Sequence, residues 1–338
     1  MDNTLFDNAE RLFAGVCTPE AVRAIEAGGE SIPLWDALEQ SGFVQALLSE
    51  DAGGAGLALE DVWPVMFSAG RHAVPLPFAQ TMLARGWLHE AGRPLDHGSV
   101  TFAPFRVRQE GDHLIARGVH FGQVASWVLA TSGDAAWLLP TDEARVDSCA
   151  GHGSLDADLT WSQQVAGRGA LARRAAAAIS ELQAFSLAAL IAGAADRVLE
   201  MTLDYANQRV QFGKPIGKFQ ALQQQISEMA ELVFAARMAS QMACQGGARS
   251  PSSALAQLAK ARASQGVGRI VAVAHAVHGA IGVTHEYDLQ LYTRRLSEWS
   301  RTGGGAGYWS QQLGQAALDS GQSAVDFIRG QLFGEPVL

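Results

Sequence analysis

The residues best able to do chemistry lie in two short stretches of the chain's C-terminal half. In LDYANQRVQFGKPIGKFQALQ, residues 203–223, a long helix must stop at a corner. Gly213 frees the turn there, and Pro215 blocks continuation of the helix. Arg209 stands near that corner, where an arginine can fork onto a pyrophosphate. Phe212, one turn on, can lie against a nucleotide base, and Gln220 offers a neutral donor and acceptor to a ribose or adenine edge. On the residues alone a plainer role leads: Arg209 capping helix carbonyls, with Phe212 in the core. In HGAIGVTHEYDLQLYTRRL, residues 278–296, Gly279 and Gly282 can let backbone approach a ligand or simply end a helix.

Other polar groups offer less. His275, His278 and His285 cluster near the glycines, but their spacing does not make a metal site. Asp156 and Asp158 sit in a turn, where paired carboxylates are usually solvated. No Ser-His-Asp order stands out, and no metal site is expected.

These residues need elements to hold them. Residues 1–97 read as an N-terminal helical domain, with Ser31 placed to cap a helix carrying Leu34, Trp35 and Leu38, and Gly42 to end it. Between 98 and 168 the texture turns to short β-prone runs, expected as strands near 99–108, 113–121, 126–131 and 135–139. The stretch DSCAGHGSLDADLTW is expected to be loop with one further strand. From 169 to 338 the chain is helical again. One apolar stripe runs through Leu187, Leu190, Ile191, Ala194, Val198, Met201 and Tyr205, and another through Phe219, Leu222, Ile226, Met229 and Val233. A third helix follows Ser252 or Ser253, and a fourth is expected over roughly 310–333. Long striped helices of this kind form antiparallel four-helix bundles.

Composition limits the function classes. A length of 338 residues implies two or three domains, and 48% hydrophobic with 17% charged residues fits well-filled cores. The formal net charge is −9, and no basic run appears, so neither nucleic acid nor an anionic membrane is expected as a partner. Cys17, Cys149 and Cys244 are few and far apart, which suits a reducing cytoplasm rather than a disulfide framework. No signal peptide is expected from the acidic start MDNTLFDNAERLF, and no apolar run approaches the roughly 18 residues of a membrane span.

The pattern Tyr-x-x-x-Arg-x-x-Phe-Gly-x-Pro-Ile-x-x-Phe-Gln, carried by Tyr205, Arg209, Phe212, Gly213, Pro215, Ile216, Phe219 and Gln220, resembles the signature of the acyl-CoA dehydrogenases. LWDALEQSGFVQALLSEDAGGAGLALEDV and GRHAVPLPFAQTMLA resemble that family's N-terminal helices, and EGDHLIARGVHFGQVASWVLATS resembles its central β run. Gly279, Gly282, Thr284 and Glu286 match its C-terminal glycine block, with Arg294 in the place of a usual arginine. The resemblance implies a mainly α fold with a small, shortened central β domain. It implies FAD as cofactor, with Arg209, Phe212, Gly213 and Gln220 on the adenine nucleotide half and Gly279 and Gly282 beside the diphosphate. An acyl-CoA thioester is the implied substrate. An electron-transfer flavoprotein or similar protein is the implied acceptor.

The departures carry as much meaning. The reaction needs a carboxylate to take the α-proton of the thioester. Aligned on Arg294, one family position for that glutamate falls on Gly303. Counted back from Arg209, the other falls on Gln183. The flavin-wrapping Thr-Glu-Pro-x-x-Gly-Ser-Asp stretch has no counterpart between Leu95 and Gly111. No catalytic residue is therefore assigned, although Glu298 and Glu181 are carboxylates near enough in sequence to substitute. The combination resembles the shorter, base-free subunit of α2β2 acyl-CoA dehydrogenases, paired with a longer chain. A self-sufficient homo-oligomer with an unconventional base and a non-catalytic binding protein on the same fold remain the alternatives.

Overall fold

The computed structural model describes residues 4–105, 107–149, 151–171, 176–245 and 249–333. Helices α1 (Thr4–Val16), α2 (Pro19–Glu26), α3 (Ile32–Gln40), α4 (Leu59–Arg71) and α5 (Phe78–Glu90) form the N-terminal part. Thr18 caps α2, its Oγ1 accepting from the Ala21 amide, with Pro19 where a helix needs no N–H. Ser31 does precede α3 but makes no capping bond, its backbone being already helical rather than in the extended conformation a capping residue adopts. Gly42, at φ 78°, lies just past the end of α3.

Two four-stranded sheets follow. Strands β1 (Val100–Ala103), β2 (Val107–Glu110), β3 (His113–Val119), β4 (Trp127–Ser132), β5 (Ala135–Pro140), β6 (Arg145–Ser148) and β7 (Ala157–Ser162) precede a short helix α6 (Gln163–Gly169) and strand β8 (Ala170–Leu171). The order is β1-β4-β5-β8 in one sheet and β2-β3-β7-β6 in the other, and among the described residues only β1 and β4 run parallel. The single strand expected over 99–108 is instead two strands in different sheets. Pro104 has no amide to give a ladder, so the chain leaves one sheet there and enters the other. Val107, Leu114, Ala116, Val128, Ala130, Leu139, Leu159 and Trp161 fill the space between the sheets. The stretch 147–161 holds the end of β6 as well as most of β7.

The helical part opens with α7 (Ala176–Gln208), followed by a two-residue hairpin of β9 (Val210–Gln211) and β10 (Lys214–Pro215), then α8 (Gln220–Met242) and α9 (Ser253–His278). Ser252 caps α9 through the Leu255 amide. Helices α10 (Leu289–Trp299), α11 (Ala306–Asp319) and α12 (Ala324–Phe327) complete it. The single helix expected over 310–333 is therefore broken. Gly321, at φ 66°, ends α11 and Ser323 caps α12. Helices α7, α8, α9 and α11 pack together as the bundle, and α10 lies across α7 and α9.

Glycines bring α4 onto α7. A Cβ at Gly70 would meet the Leu190 carbonyl, and one at Gly193 would meet the Phe67 carbonyl. Each helix thus offers the other a bare patch of backbone. Two helices, over Ala178–Gln208 and Ser253–Val283, are long and apolar enough to cross a membrane, but α7 buries most of its apolar surface inside the fold and α9 packs along it.

Candidate functional site

The residues singled out by the sequence gather at one end of the bundle. Helix α7 finishes at Gln208, and the Arg209 amide donates to the Tyr205 carbonyl at 2.8 Å. The Arg209 carbonyl then accepts from the Ile216 amide, also at 2.8 Å, which closes the hairpin. Phe212 and Gly213 form its tip, at φ 52° and 77°. Phe212 is 92% exposed, so the plainer expectation of a core phenylalanine is wrong. Its ring lies edge-on to Phe219, with centres 6.1 Å apart, and the Lys214 ammonium lies 4.4 Å from the Phe219 ring centre. Arg209 and Gln220 are exposed beside it.

The glycine block reaches the same end. Tyr205 stacks on His278, the last residue of α9, with ring centres 4.5 Å apart, and Tyr287 meets both rings. Gly279 follows, exposed at φ 66° with open space where a Cβ would stand. Gly282 is different: it is buried, and a Cβ there would press on His278 and Leu289 at 3.0–3.1 Å. Internal packing already demands that glycine. His275 bonds Thr293 at 3.0 Å and His278 bonds the Ala274 carbonyl at 2.8 Å, so each commits one ring nitrogen to the fold.

An exposed cation, an exposed amide and an aromatic ring held at positive φ are costly to display without a ligand or a neighbour, since a bulky residue rarely adopts that backbone. Such a set has the chemistry to grip a nucleotide, a cation for phosphates and a ring for a base.

A second feature, which sequence reasoning did not foresee as a unit, is a cavity of about 1000 Å³ between the sheets and α7, α9 and α10. Phe102–Phe105, Gln183, Arg294, Glu298, Arg301, Gly303 and Tyr308 help to line it. Gly303, at φ 63°, faces Gln183 so closely that a Cβ there would overlap the Gln183 side-chain oxygen. Gln183 is 4% exposed. Its Nε2 donates to the Phe102 carbonyl at 3.2 Å, while its Oε1 has no partner. The Gly303 carbonyl accepts from the Trp309 indole at 3.0 Å, which pins the turn. The two positions aligned with a catalytic glutamate thus meet at one point in space.

Glu298 also borders this cavity, with most of its side chain buried. Its Oε1 accepts from Ser154 Oγ at 2.9 Å and lies 3.7 Å from Nδ1 of His120. His120 is fully buried, and its Nδ1 is 2.8 Å from Asp156 Oδ1. Burial works against the imidazolium, but Asp156 and Glu298 raise His120 to about 9. Burial raises Asp156. In Glu298, His120 and Arg295 overcome the same desolvation and hold the carboxyl well below the usual range. No local signal announced this cluster, because its members are scattered along the chain. Glu181 is half-buried, and burial raises it.

A helical N-terminal part, a two-sheet middle and a helical bundle, with a nucleotide-fitting corner at one end, define the architecture of a flavin-dependent acyl-CoA oxidoreductase. The chain belongs to the acyl-CoA dehydrogenase family. Residues 173–307 match the model of the acyl-CoA dehydrogenase C-terminal domain. The chain is 31% identical to acyl-CoA dehydrogenase IpdE2 of Mycobacterium tuberculosis over 312 residues, covering 86% of this chain and 89% of that one. Among solved structures it is similar to the Tcur3481-Tcur3483 steroid acyl-CoA dehydrogenase, with TM-score 0.80, 26% identity, and coverage of 95% and 98%. Butyryl-CoA dehydrogenase from Megasphaera elsdenii shares the fold at TM-score 0.80 and 20% identity, over 94% and 98% of the two chains. The family's proteins are flavoproteins, and FAD is the cofactor.

Proposed function

We propose that this chain is the base-free subunit of a heteromeric, FAD-dependent acyl-CoA dehydrogenase whose partner is a longer relative carrying the catalytic glutamate. One observation carries the reading: Gly303 and Gln183 meet at the point where a base would stand, and neither is a carboxylate. An amide cannot take the α-proton of the thioester. Glu298, a carboxylate on the cavity wall, is engaged by His120 and Ser154, and a carboxylate so stabilised is a weak base.

The exposed corner supports a role across an interface. Arg209, Phe212, Gly213, Gln220 and Gly279 would hold the adenine and diphosphate half of FAD, with Gly282 keeping the block's backbone in place. When bound, the flavin accepts hydride from the acyl β-carbon. The chain's own part is to grip the nucleotide and complete the assembly. The ChsE4-ChsE5 complex from Mycobacterium tuberculosis, which has the same fold, pairs two different chains, and this favours a heteromer here. A steroid-derived acyl-CoA is the substrate class suggested by the Tcur3481-Tcur3483 enzyme. Electrons would leave through an electron-transfer flavoprotein or a similar acceptor.

A second reading, a self-sufficient enzyme with Glu298 as base, rests on the place of that residue on the cavity wall. An absorbance spectrum of the chain purified alone, then with a co-encoded longer relative, separates the two. Flavin absorbance and turnover only in the pair are expected. A yellow, active single chain would overturn the proposal.

A further inference from the structure

The His120–Asp156–Glu298 cluster joins two parts of the molecule. His120 follows β3, Asp156 precedes β7, and Glu298 lies on the last turn of α10. The cluster is tied in further on both sides. Thr101 Oγ1 of β1 donates to the His120 carbonyl at 2.6 Å, and the Asp156 amide donates to Ser154 Oγ at 3.2 Å. Ser154 in turn donates to Glu298. Just beyond Glu298 come Arg301, Thr302 and Gly303, the turn that closes the cavity.

We propose that His120, Asp156 and Glu298 are positioning residues, an ionic clasp that holds the 299–305 turn against the β sheets and sets the shape of the cavity wall. The proposal rests on the reading given above, since the wall belongs to the cavity in which Gly303 and Gln183 meet. A bridge between one imidazolium and two carboxylates is directional and buried, so its loss releases the turn rather than merely weakening a surface contact.

Metal binding is the rival use of such a trio. The Nδ1 and the two carboxylate oxygens lie within 4.8 Å of one another, close enough for a common ion. The existing contacts argue for protons instead. Nδ1 already bonds Asp156, Glu298 already accepts from Ser154, and the nitrogen without a partner is Nε2, the other ring atom. The ring itself packs on Phe121 and near Trp299.

The clasp depends on the imidazolium. Its pKa is raised in the folded protein, so its contribution is complete below the ordinary value of 6.5 and is lost as pH climbs through about 9. Above that, two carboxylates face each other without the cation. Other titratable groups surround the trio: Arg294 and Arg295 on α10, Cys149 beyond β6, the Arg117–Asp158 pair across β3 and β7, and Lys260 and His275 on α9. Lys260 is brought down to about 7 by burial and so titrates in the same window. The readout must therefore be specific to His120.

Histidine C2 hydrogen exchange, read by mass spectrometry on the chain in its native assembly, gives that readout. A midpoint near 9 is expected for His120, falling by more than about one pH unit in Glu298→Gln. Backbone amide exchange of 299–305, corrected for intrinsic rates, should rise at least about tenfold between pH 6.5 and 9.5, and that rise should be absent in Glu298→Gln. A wild-type midpoint at or below the ordinary value, or an unmoved midpoint in the variant, would overturn the clasp. So would a zinc-induced gain in Tm that Glu298→Gln abolishes, which would make the trio a metal site. The flavin spectrum of the assembly serves as a separate arm. If the assembly holds no flavin, the reading above falls while the His120 midpoint still decides the clasp.

Discussion

At the scale of single residues, the meeting of Gly303 and Gln183 makes the sharpest predictions. Gly303→Ala adds a methyl group where the Gln183 oxygen already lies, at a backbone angle that disfavours any side chain. The expected loss is about 1–3 kcal/mol of stability, seen as a lowered Tm, and shortening Gln183 to Ala in the same chain should restore part of it. Glu181→Gln should leave turnover of the assembled enzyme unchanged. Glu298→Gln at pH 6.5 should cost far less than the roughly 10²–10⁴-fold that removal of a general base costs. A full loss of that size, with flavin still bound, would make Glu298 the base. Arg209→Ala should weaken FAD retention by roughly 10- to 150-fold, the equivalent of about 1.5–3 kcal/mol for a charge-assisted phosphate contact. Flavin absorbance after gel filtration would show it. The contrast in legibility has a physical cause. Arg209, Phe212 and Gln220 lie within one turn-and-helix segment, so their types and spacing carry the pattern. His120, Asp156 and Glu298 meet only after three separate elements have docked, and no local spacing records that.

At the scale of elements, helices were legible where one apolar stripe ran unbroken, as in α7 and α8. The breaks were less so. The strand expected over 99–108 ignored what Pro104 does to a ladder, and the helix expected over 310–333 ignored Gly321 followed by a capping serine. Both breaks rest on one or two residues whose effect depends on the geometry around them. Another unforeseen device is Lys260 of α9, fully buried, whose ammonium donates to the carbonyls of Trp299 and Ser300 at 2.9 and 3.1 Å and to Ser264 at 2.9 Å. It satisfies carbonyls that the end of α10 would otherwise leave bare. Lys260→Ala removes those bonds and leaves a cavity, so a loss of about 2–5 kcal/mol is expected in chemical denaturation, with an unchanged dependence on denaturant if only stability is affected.

At the scale of the whole molecule, the bundle carries more apolar surface than its own core uses. Met238 on α8 is 63% exposed and Leu318 on α11 is 76% exposed, and Phe212 stands out at the corner. Surface of this kind is what the proposed assembly would cover. Sedimentation at micromolar concentration should find an oligomer, with or without the longer partner, and a stable monomer would count against the assembly proposed here. The three-part mainly α architecture was legible because the change from helical stripes to short β-prone runs and back is a property of long segments. The convergence of the two vacant base positions has a consequence in mutational terms. A glutamine codon becomes a glutamate codon by one nucleotide change, so a carboxylate at 183 is a single step away. A return at 303 is harder, since the new side chain would have to displace Gln183 and accept an unfavourable backbone angle. Any lineage that regained proton abstraction within this chain would therefore be expected to do so from α7, and to keep its glycine at 303.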